Sequence, residues 1–294
     1  MKHAFLIIAH NNWDQLCLLL QQIDAPNHDI YIHIDLKSTE VPTERIKNAV
    51  KQSALQIYRK FKIYWGGYSQ VETELFLFEI AQKEHYDYYH LLSGADLLLV
   101  NKKKFDDFFE QNRGLEFVDY DDDTLEHNPE ISRRAKYYHL LQNYRKRFCQ
   151  KWKNTFFTTI ERGLLVAQIL LHVNRTKNLD WNIRYGSNWI SITDDLIKTI
   201  LGNKEKIYTT FHCTNGADEL FVKTIAYNCG FKDKIYPNGN MRYIDWKRRQ
   251  GSSPYTFRMA DYDAIMSSGK IIGRKFSEQV DQYVIRRVVE ETKE

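Results

Sequence analysis

The first hundred residues alternate short apolar runs with segments of helical period, and nothing else in the chain constrains the fold as strongly. AFLIIAH (4–10) reads as a buried strand and WDQLCLLLQQI (13–23) as a helix with Asn12 as its cap. IYIHID (30–35) is a second strand and TERIKNAVKQ (43–52) a second helix. FKIYW (61–65) reads as a third strand, ended by Gly66-Gly67. VETELFLFEIAQKE (71–84) is a strongly amphipathic helix and YYHLLSG (88–94) a fourth strand. A βαβα order of this kind implies a mostly parallel sheet with helices on both faces. Such sheets bind ligands beyond the carboxyl ends of their strands. His10, Asp35, Trp65, Ser93 and Asp96 fall near those ends.

The second half is more mixed. LEFVDY (115–120) and NWISIT (188–193) read as strands. TDDLIKTIL (193–201) is a helix capped by Thr193, and ADELFVKTIAYN (217–228) is a helix opening after Gly216. The tail SEQVDQYVIRRVVEETKE (277–294) reads as a polar terminal helix. There is no internal repeat, low-complexity segment or Pro/Gly/Ser-rich linker. One α/β domain over residues 1–294 follows, with residues 1–115 and 116–294 as its two halves.

Composition narrows the functional classes. A net charge of +4 is too mild to require nucleic acid, and no RNA-binding motif is present. The 19 Tyr, 16 Phe and 6 Trp suit a carbohydrate site, because sugar C–H faces are apolar, although most must fill the core. The four cysteines lack C-x-x-C spacing, which argues against a structural zinc site built from thiolates. The stretch from Arg133 to Lys153 is dense in Lys and Arg and carries no acid. It reads either as a solvated helix or as a face for an anionic membrane or acidic acceptor. The apolar run 4–9 is too short for a signal peptide, and LLVAQILLHV (164–173) falls short of the roughly twenty residues that span a bilayer. A cytoplasmic location is expected, with peripheral contact at the inner face of the membrane.

Several motifs, in order, carry a resemblance. They are AFLIIAHNNWDQLCLLL (4–20), IYIHIDLKS (30–38), YWGGYSQVETEL (64–75), YDYYHLLSGADLLL (86–99), YGSNWISITDDLIKTIL (185–201), GADELF (216–221), MRYIDW (241–246) and SSGKIIGRKF (267–276). The chain resembles glycosyltransferase family 14, the core-2/I-branching β-1,6-N-acetylglucosaminyltransferases and peptide O-xylosyltransferases. The likeness fades between residues 124 and 180. Animal members are disulfide-rich and membrane-anchored, so this chain resembles an unanchored, bacterial-type member from a reducing compartment.

The resemblance implies a GT-A-type nucleotide-sugar transferase fold and an inverting transfer. Glu219 becomes the catalytic base that deprotonates the acceptor hydroxyl. The residues before it, Asn215-Gly216-Ala217, depart from the family motif, and Asp218 is expected to brace the loop. Arg242 and Lys275 become the cations that stabilise the departing diphosphate, with Arg274 able to substitute. Asp35 is placed at the uridine, His10 under the nucleotide, Trp65 near base or ribose, and Ser93 and Asp96 on the donor floor. Trp189 and Trp246 would shape the sugar and acceptor side.

UDP-N-acetylglucosamine is the expected donor and a sugar hydroxyl, as in β-1,6-type branching of a surface polysaccharide or glycolipid, the expected acceptor. UDP-xylose is the alternative. No metal cofactor is expected. Asp121-Asp122-Asp123, with Asp119, looks like a metal-holding Asp-x-Asp motif but is read as a loop on the acceptor side. Two further readings stand against this one: a nucleotide- or carbohydrate-binding protein that has lost catalysis, and a metal-dependent retaining transferase using the Asp121 cluster.

Overall fold

A computed structural model describes residues 1–119, 128–144, 150–249, 251 and 253–293. The first half runs β1 (His3–Ala9), α1 (Trp13–Ile23), β2 (His28–Ile34), α2 (Thr43–Asn48), β3 (Leu55–Tyr58), α3 (Ser69–Ala81), β4 (Tyr88–Ser93), β5 (Asp96–Leu98) and α4 (Lys102–Gln111). The second half runs α5 (Pro129–Lys136), α6 (Lys151–Leu170), β6 (Ser191–Thr193), α7 (Asp194–Gly202), α8 (Lys204–Phe211), α9 (Phe221–Asn228), β7 (Arg242–Ile244), α10 (Tyr262–Met266), β8 (Ile272–Arg274) and α11 (Gln282–Glu291).

The main sheet has the order β3-β2-β1-β4-β6. Its first four strands are parallel and β6 closes the edge antiparallel to β4. A smaller sheet, β5-β8-β7, lies beside it. Both sheets combine strands from residues 1–115 and 116–294, so the two halves interleave.

Alternation along β1 explains the layers. Ala4 and Leu6 pack with Val71, Leu75 and Phe78 of α3, Leu196 of α7 and Ile225 of α9. Phe5, Ile7 and Ala9 pack with Leu16 and Leu20 of α1, Phe105 of α4 and Val284 of α11. Cover on both faces favours apolar side chains at successive positions, which is why 4–9 of β1 reads as an unbroken run. The C-terminal helix buries Val284, Ile285, Val288 and Val289, so it is an amphipathic part of this core rather than a polar tail.

Other expectations shift for identifiable reasons. The third strand is Leu55–Tyr58, and the segment 61–65 is irregular. Its N–H groups are taken by side chains rather than by a neighbouring strand. His33 Nε2 accepts from the amides of Lys60 (3.2 Å) and Phe61 (3.1 Å), and Asp35 Oδ1 from Ile63 (3.3 Å). Ser69 Oγ and Gln70 Oε1, in the first turn of α3, accept from Tyr64 and Gly66. Asn12 precedes α1 in a left-handed conformation and its side chain makes no cap, whereas Thr193 Oγ1 does accept from the amide of Leu196. Helix α3 buries Ser69, Thr73 and Glu74 as well as its apolar residues, so it is enclosed on most sides rather than amphipathic. Within 115–119 the backbone forms only isolated bridges at Glu116 and Phe117.

Glu116 anchors that segment. Its carboxylate accepts from the Thr193 amide at 2.9 Å and the Thr193 hydroxyl at 2.5 Å. Burial nevertheless pushes this carboxyl up to about 7 from an ordinary 4.5, against those hydrogen bonds. The folded protein therefore holds this proton more tightly than the unfolded chain. Its contribution to stability is fully present below pH 4.5 and is lost as pH rises to about 7. Glu116→Gln should flatten that stretch of the pH–stability curve, read by denaturant unfolding between these limits, by up to about 3 kcal/mol.

Candidate active site

The carboxyl ends of the central strands gather a group of charged side chains. His10 follows β1 and is exposed to solvent. Partial enclosure lowers its pKa against the pull of Asp35, and the nearby cations Lys275, Lys37 and Arg274 lower it further. Asp35 follows β2 and closes a tight turn, accepting from the Lys37 amide at 2.9 Å while Lys37 Nζ lies 3.4 Å from its other oxygen. Ser93 and Asp96 connect β4 and β5. Asp96 accepts from the Ser93 amide at 2.8 Å and from Arg274 Nη1 at 2.6 Å. Arg274 also donates to Ser93 Oγ and stacks 4.0 Å above the ring of Trp189.

Lys275 stands apart within this group. Burial lowers its pKa, and the like charge of Arg274 lowers it further, against the pull of Asp96. Among the described residues, no ion pair or side-chain hydrogen bond engages its ammonium. Two adjacent cations with Asp96 as the one carboxylate paired to Arg274 make a place that an anion would relieve electrostatically.

Glu219 belongs to a second group, built on two glycine turns. Gly66 (φ +71°) and Gly216 (φ +67°) both lie in the left-handed region, and the Gly216 amide donates to Gly66 O at 2.9 Å. A Cβ on Gly66 would stand 2.7 Å from Asn215 Oδ1, so the approach needs glycine. Gln70 ties the turns together. Its Oε1 accepts from the Gly66 amide at 2.8 Å and its Nε2 donates to Asp218 Oδ2 at 3.2 Å. Residues 217–219 then form a single 3-10 turn ahead of α9, not the first turn of one continuous helix.

The Glu219 side chain is 26% exposed and its Oε2 accepts from Arg134 Nη1 at 2.7 Å. Arg134 is braced in turn by Glu130, one helical turn earlier on α5, at 2.8 Å. Behind Glu219 the Asp218 carboxyl is buried. Burial, then the charge of Glu219, pushes it up to about 7, against the pull of the buried Lys223 ammonium. Burial also raises the enclosed Glu74, with Asp218 adding to the rise. Asp218 Oδ2 accepts from Gln70, a contact of the kind a loop-bracing role would use.

The two groups meet through the segment 61–67, held at one end by Asp35 and His33 and at the other by Gln70 and Gly216. Trp65 lies in this segment and is half exposed. Trp246 is also half exposed, whereas Trp189 is partly covered by Arg274.

Arg242 is in a different situation from Lys275. It is 5% exposed and spends its guanidinium on Asn240 O (2.6 Å), Ile190 O (2.5 Å) and Ser191 Oγ (3.1 Å). This ties β7 to the β6 edge of the main sheet and leaves little to offer a phosphate. Burial lowers it to about 10, against Asp96 and Asp119. Asp119 accepts from the Asn240 amide at 2.8 Å, while the Asp121 cluster lies outside the described residues.

Arg134 and Gln70 were not singled out from the sequence. Arg134 was hidden among the bases of 133–153. The signal that could have separated it is the Asn128-Pro129 helix start, with Asn128 Oδ1 accepting from Ile131, followed by Glu130 and Arg134 at i,i+4 spacing.

The mostly parallel α/β sheet thus carries one partly exposed acid, Glu219, and one cation without a partner among the described residues, Lys275. The chain belongs to the Core-2/I-Branching enzyme family, whose model matches residues 3–267. It is 24% identical over 313 residues to Xylosyltransferase sqv-6 of Caenorhabditis briggsae, a match covering 96% of this chain and 35% of that protein. It is 23% identical over 316 residues to Xylosyltransferase oxt of Drosophila pseudoobscura pseudoobscura, covering 99% and 33%. The chain thus spans about a third of the length of these curated relatives. Among solved structures, apo mouse xyloside xylosyltransferase 1 aligns at a TM-score of 0.41 with 8% identity, over 92% of this chain and 96% of that one.

The contrast between the two cations is testable. Arg242→Ala strands several buried carbonyls and should lower Tm by several degrees, with a cost of about 3 kcal/mol or more. Lys275→Ala should leave Tm within about a degree of the parent, since losing a cation beside Arg274 relieves repulsion. It should weaken UDP binding, read by calorimetry, by at least roughly tenfold. A Lys275→Ala protein with parental UDP affinity would remove this residue from the donor site.

Proposed function

We propose that this chain catalyses an inverting transfer of N-acetylglucosamine from UDP-N-acetylglucosamine to a sugar hydroxyl. The observation that supports a diphosphate donor is the Lys275 ammonium beside Arg274, unpaired among the described residues. In this reading the diphosphate takes the place of the missing counter-ion. Lys275 binds the β-phosphate oxygens, Arg274 contributes charge from its seat on Asp96 and Trp189, and Arg242 supports the strand behind them. UDP leaves as the acceptor oxygen attacks the opposite face of the anomeric carbon, so an α-linked donor gives a β-linked product. Glu219 takes the acceptor proton as the new bond forms. Arg134 keeps that carboxylate oriented and must yield part of its hydrogen bonding to the incoming hydroxyl. Side chains thereby supply the charge that a divalent ion supplies elsewhere.

UDP-xylose is the second reading of the donor, and the likeness to xylosyltransferases favours it. A screen of UDP-sugars, read as UDP release with and without chelator, separates the two donors and tests the metal requirement together. Glu219→Gln should lower turnover by about 10²–10⁴ while UDP affinity stays within about twofold of the parent. Near-full turnover in Glu219→Gln would sink the assignment.

An acceptor at a lipid surface fits one further feature. No described helix is long and apolar enough to cross a membrane. Yet α6 exposes Trp152, Phe156, Ile160, Leu164, Val166 and Leu170, and buries Glu161 alone. The charged side chains on its outer side are Lys151, Lys153 and Arg162, all basic, while Glu161 faces inward to His139 at 3.1 Å. An apolar face with a basic rim suits an anionic bilayer, and two copies would repel rim to rim. The Arg133–Lys153 stretch runs into α6; within it Arg134 faces Glu219, and 145–149 lie outside the described residues. Phe156→Asp with Leu170→Asp should abolish co-sedimentation with anionic vesicles and leave soluble-donor hydrolysis unchanged. Parental vesicle binding by this pair would overturn the contact.

A further inference from the structure

A second constellation lies at the other end of the main sheet. His3 and His28 open β1 and β2 and are paired directly across the two strands. Asp106 of α4 closes over them. His28 Nε2 is 2.8 Å and His3 Nε2 is 3.6 Å from Asp106 Oδ1, and the three ligand atoms all fall within 4.8 Å of one another. Both rings are fully buried, while Asp106 remains 30% exposed. The seven-residue β1 separates this end from His10 by about 20 Å.

The hydrogen bonds around the rings orient their lone pairs inward. His28 Nδ1 lies 2.7 Å from Ile23 O, and only an N–H can face a carbonyl there. A neutral His28 then presents its Nε2 lone pair to a carboxylate, which is also an acceptor. Either a second proton or a cation must reconcile the two. His3 Nδ1 lies 2.9 Å from His90 Nε2, and His90 Nδ1 lies 2.8 Å from Ser191 Oγ. That relay lets His3 carry its proton on Nδ1, leaving Nε2 a lone pair. His3 Nε2 is buried with no hydrogen-bond partner, and its separation from Asp106 is too long for a hydrogen bond.

Two imidazole nitrogens and one carboxylate oxygen are a donor set for borderline divalent metals. Ligands on a tetrahedral zinc stand about 3.3 Å apart, given bonds of about 2.0 Å. The two nitrogen–oxygen separations, 2.8 and 3.6 Å, bracket that value, and the two ring nitrogens lie within 4.8 Å of each other. Outer partners are also in place: Ile23 O and His90 orient the two rings, and Asn27 Nδ2 donates to Asp106 Oδ2 at 2.9 Å. Phe5, Phe105 and Phe109 wall the rings in, with centroids 5.0 to 5.7 Å from them.

We propose that His3, His28 and Asp106 form a structural site for a divalent transition metal of the zinc class, entered from the exposed side of Asp106 and completed by water. The ion would fasten α4 to the amino ends of β1 and β2. It would be separate from the diphosphate site and take no part in sugar transfer.

The experiment uses the full chain without an affinity tag, stripped by chelator and titrated with Co²⁺ as a spectroscopic probe. The expected result is one equivalent of bound Co²⁺ with visible d–d absorption, displaced by Zn²⁺, and a Tm that rises with zinc. Asp106→Asn should fold, since Asn still reaches His28 and Asn27. It should bind at least roughly tenfold more weakly, because losing a ligand costs no less than losing an outer partner. His28→Gln should lose the spectrum as well. A stripped wild-type protein that takes up no Co²⁺ and shows no zinc-dependent Tm would overturn the site in favour of a His28 imidazolium–Asp106 ion pair. So would an Asp106→Asn protein that binds like the parent.

Discussion

The clasp between the Gly66 and Gly216 turns fixes where the candidate base can be. Gly66 donates its amide to Gln70 and offers its carbonyl to Gly216, and Gln70 reaches on to Asp218. Two hydrogen bonds thus connect the Gly66 turn and the start of α3 to the loop bearing Glu219, and a third holds Gly66 to Gln70. Net hydrogen-bond energies are modest, near 1 kcal/mol each, so the value of the clasp is geometric. It places an ionisable side chain at the surface while enclosing its neighbour, Asp218. The same segment reaches back to Asp35 and His33 at the end of β2, so the strand-end group and the Glu219 group share one piece of backbone.

Charge is distributed by burial across the molecule. Arg242 is enclosed and neutralises carbonyl dipoles, which makes it a joint between sheets. Arg274 is partly enclosed and shared between Asp96 and Trp189. Lys275 is partly enclosed with no partner among the described residues, and that mismatch is the best argument for an anionic ligand. At the opposite end, His3, His28 and Asp106 present a mismatch of the reverse sign, three electron-pair donors awaiting a cation. The two ends therefore ask for opposite ligands, and the long central strands keep them apart.

Much of the scaffold was legible because buried parallel strands and their helices announce themselves by period. The positions of β1, α1, β2, β4 and α7, with its Thr193 cap, follow from local pattern alone. FKIYW misled because its apolar run is held by His33, Asp35, Ser69 and Gln70, partners that no local pattern reveals. Arg134 and Lys275 are equally basic in sequence, yet one meets Glu219 and the other meets no partner among the described residues. Arg242 read as a phosphate ligand because burial and carbonyl partners cannot be inferred from a motif. The His3–His28–Asp106 cluster is not legible locally because its members open two strands and sit on a distant helix, whereas C-x-x-C and Asp-x-Asp signatures are contiguous in sequence. The apolar face of α6 was obscured by the basic stretch before it.

The central claim is that protein cations, not a bound ion, neutralise the pyrophosphate at the carboxyl end of the sheet. A crystal structure of the UDP complex grown with Mn²⁺ tests it most directly. The account predicts β-phosphate oxygens within about 3 Å of Lys275 Nζ and no anomalous peak between the phosphates. A manganese ion bridging the diphosphate to carboxylates, with the Lys275 ammonium turned to solvent, would contradict it.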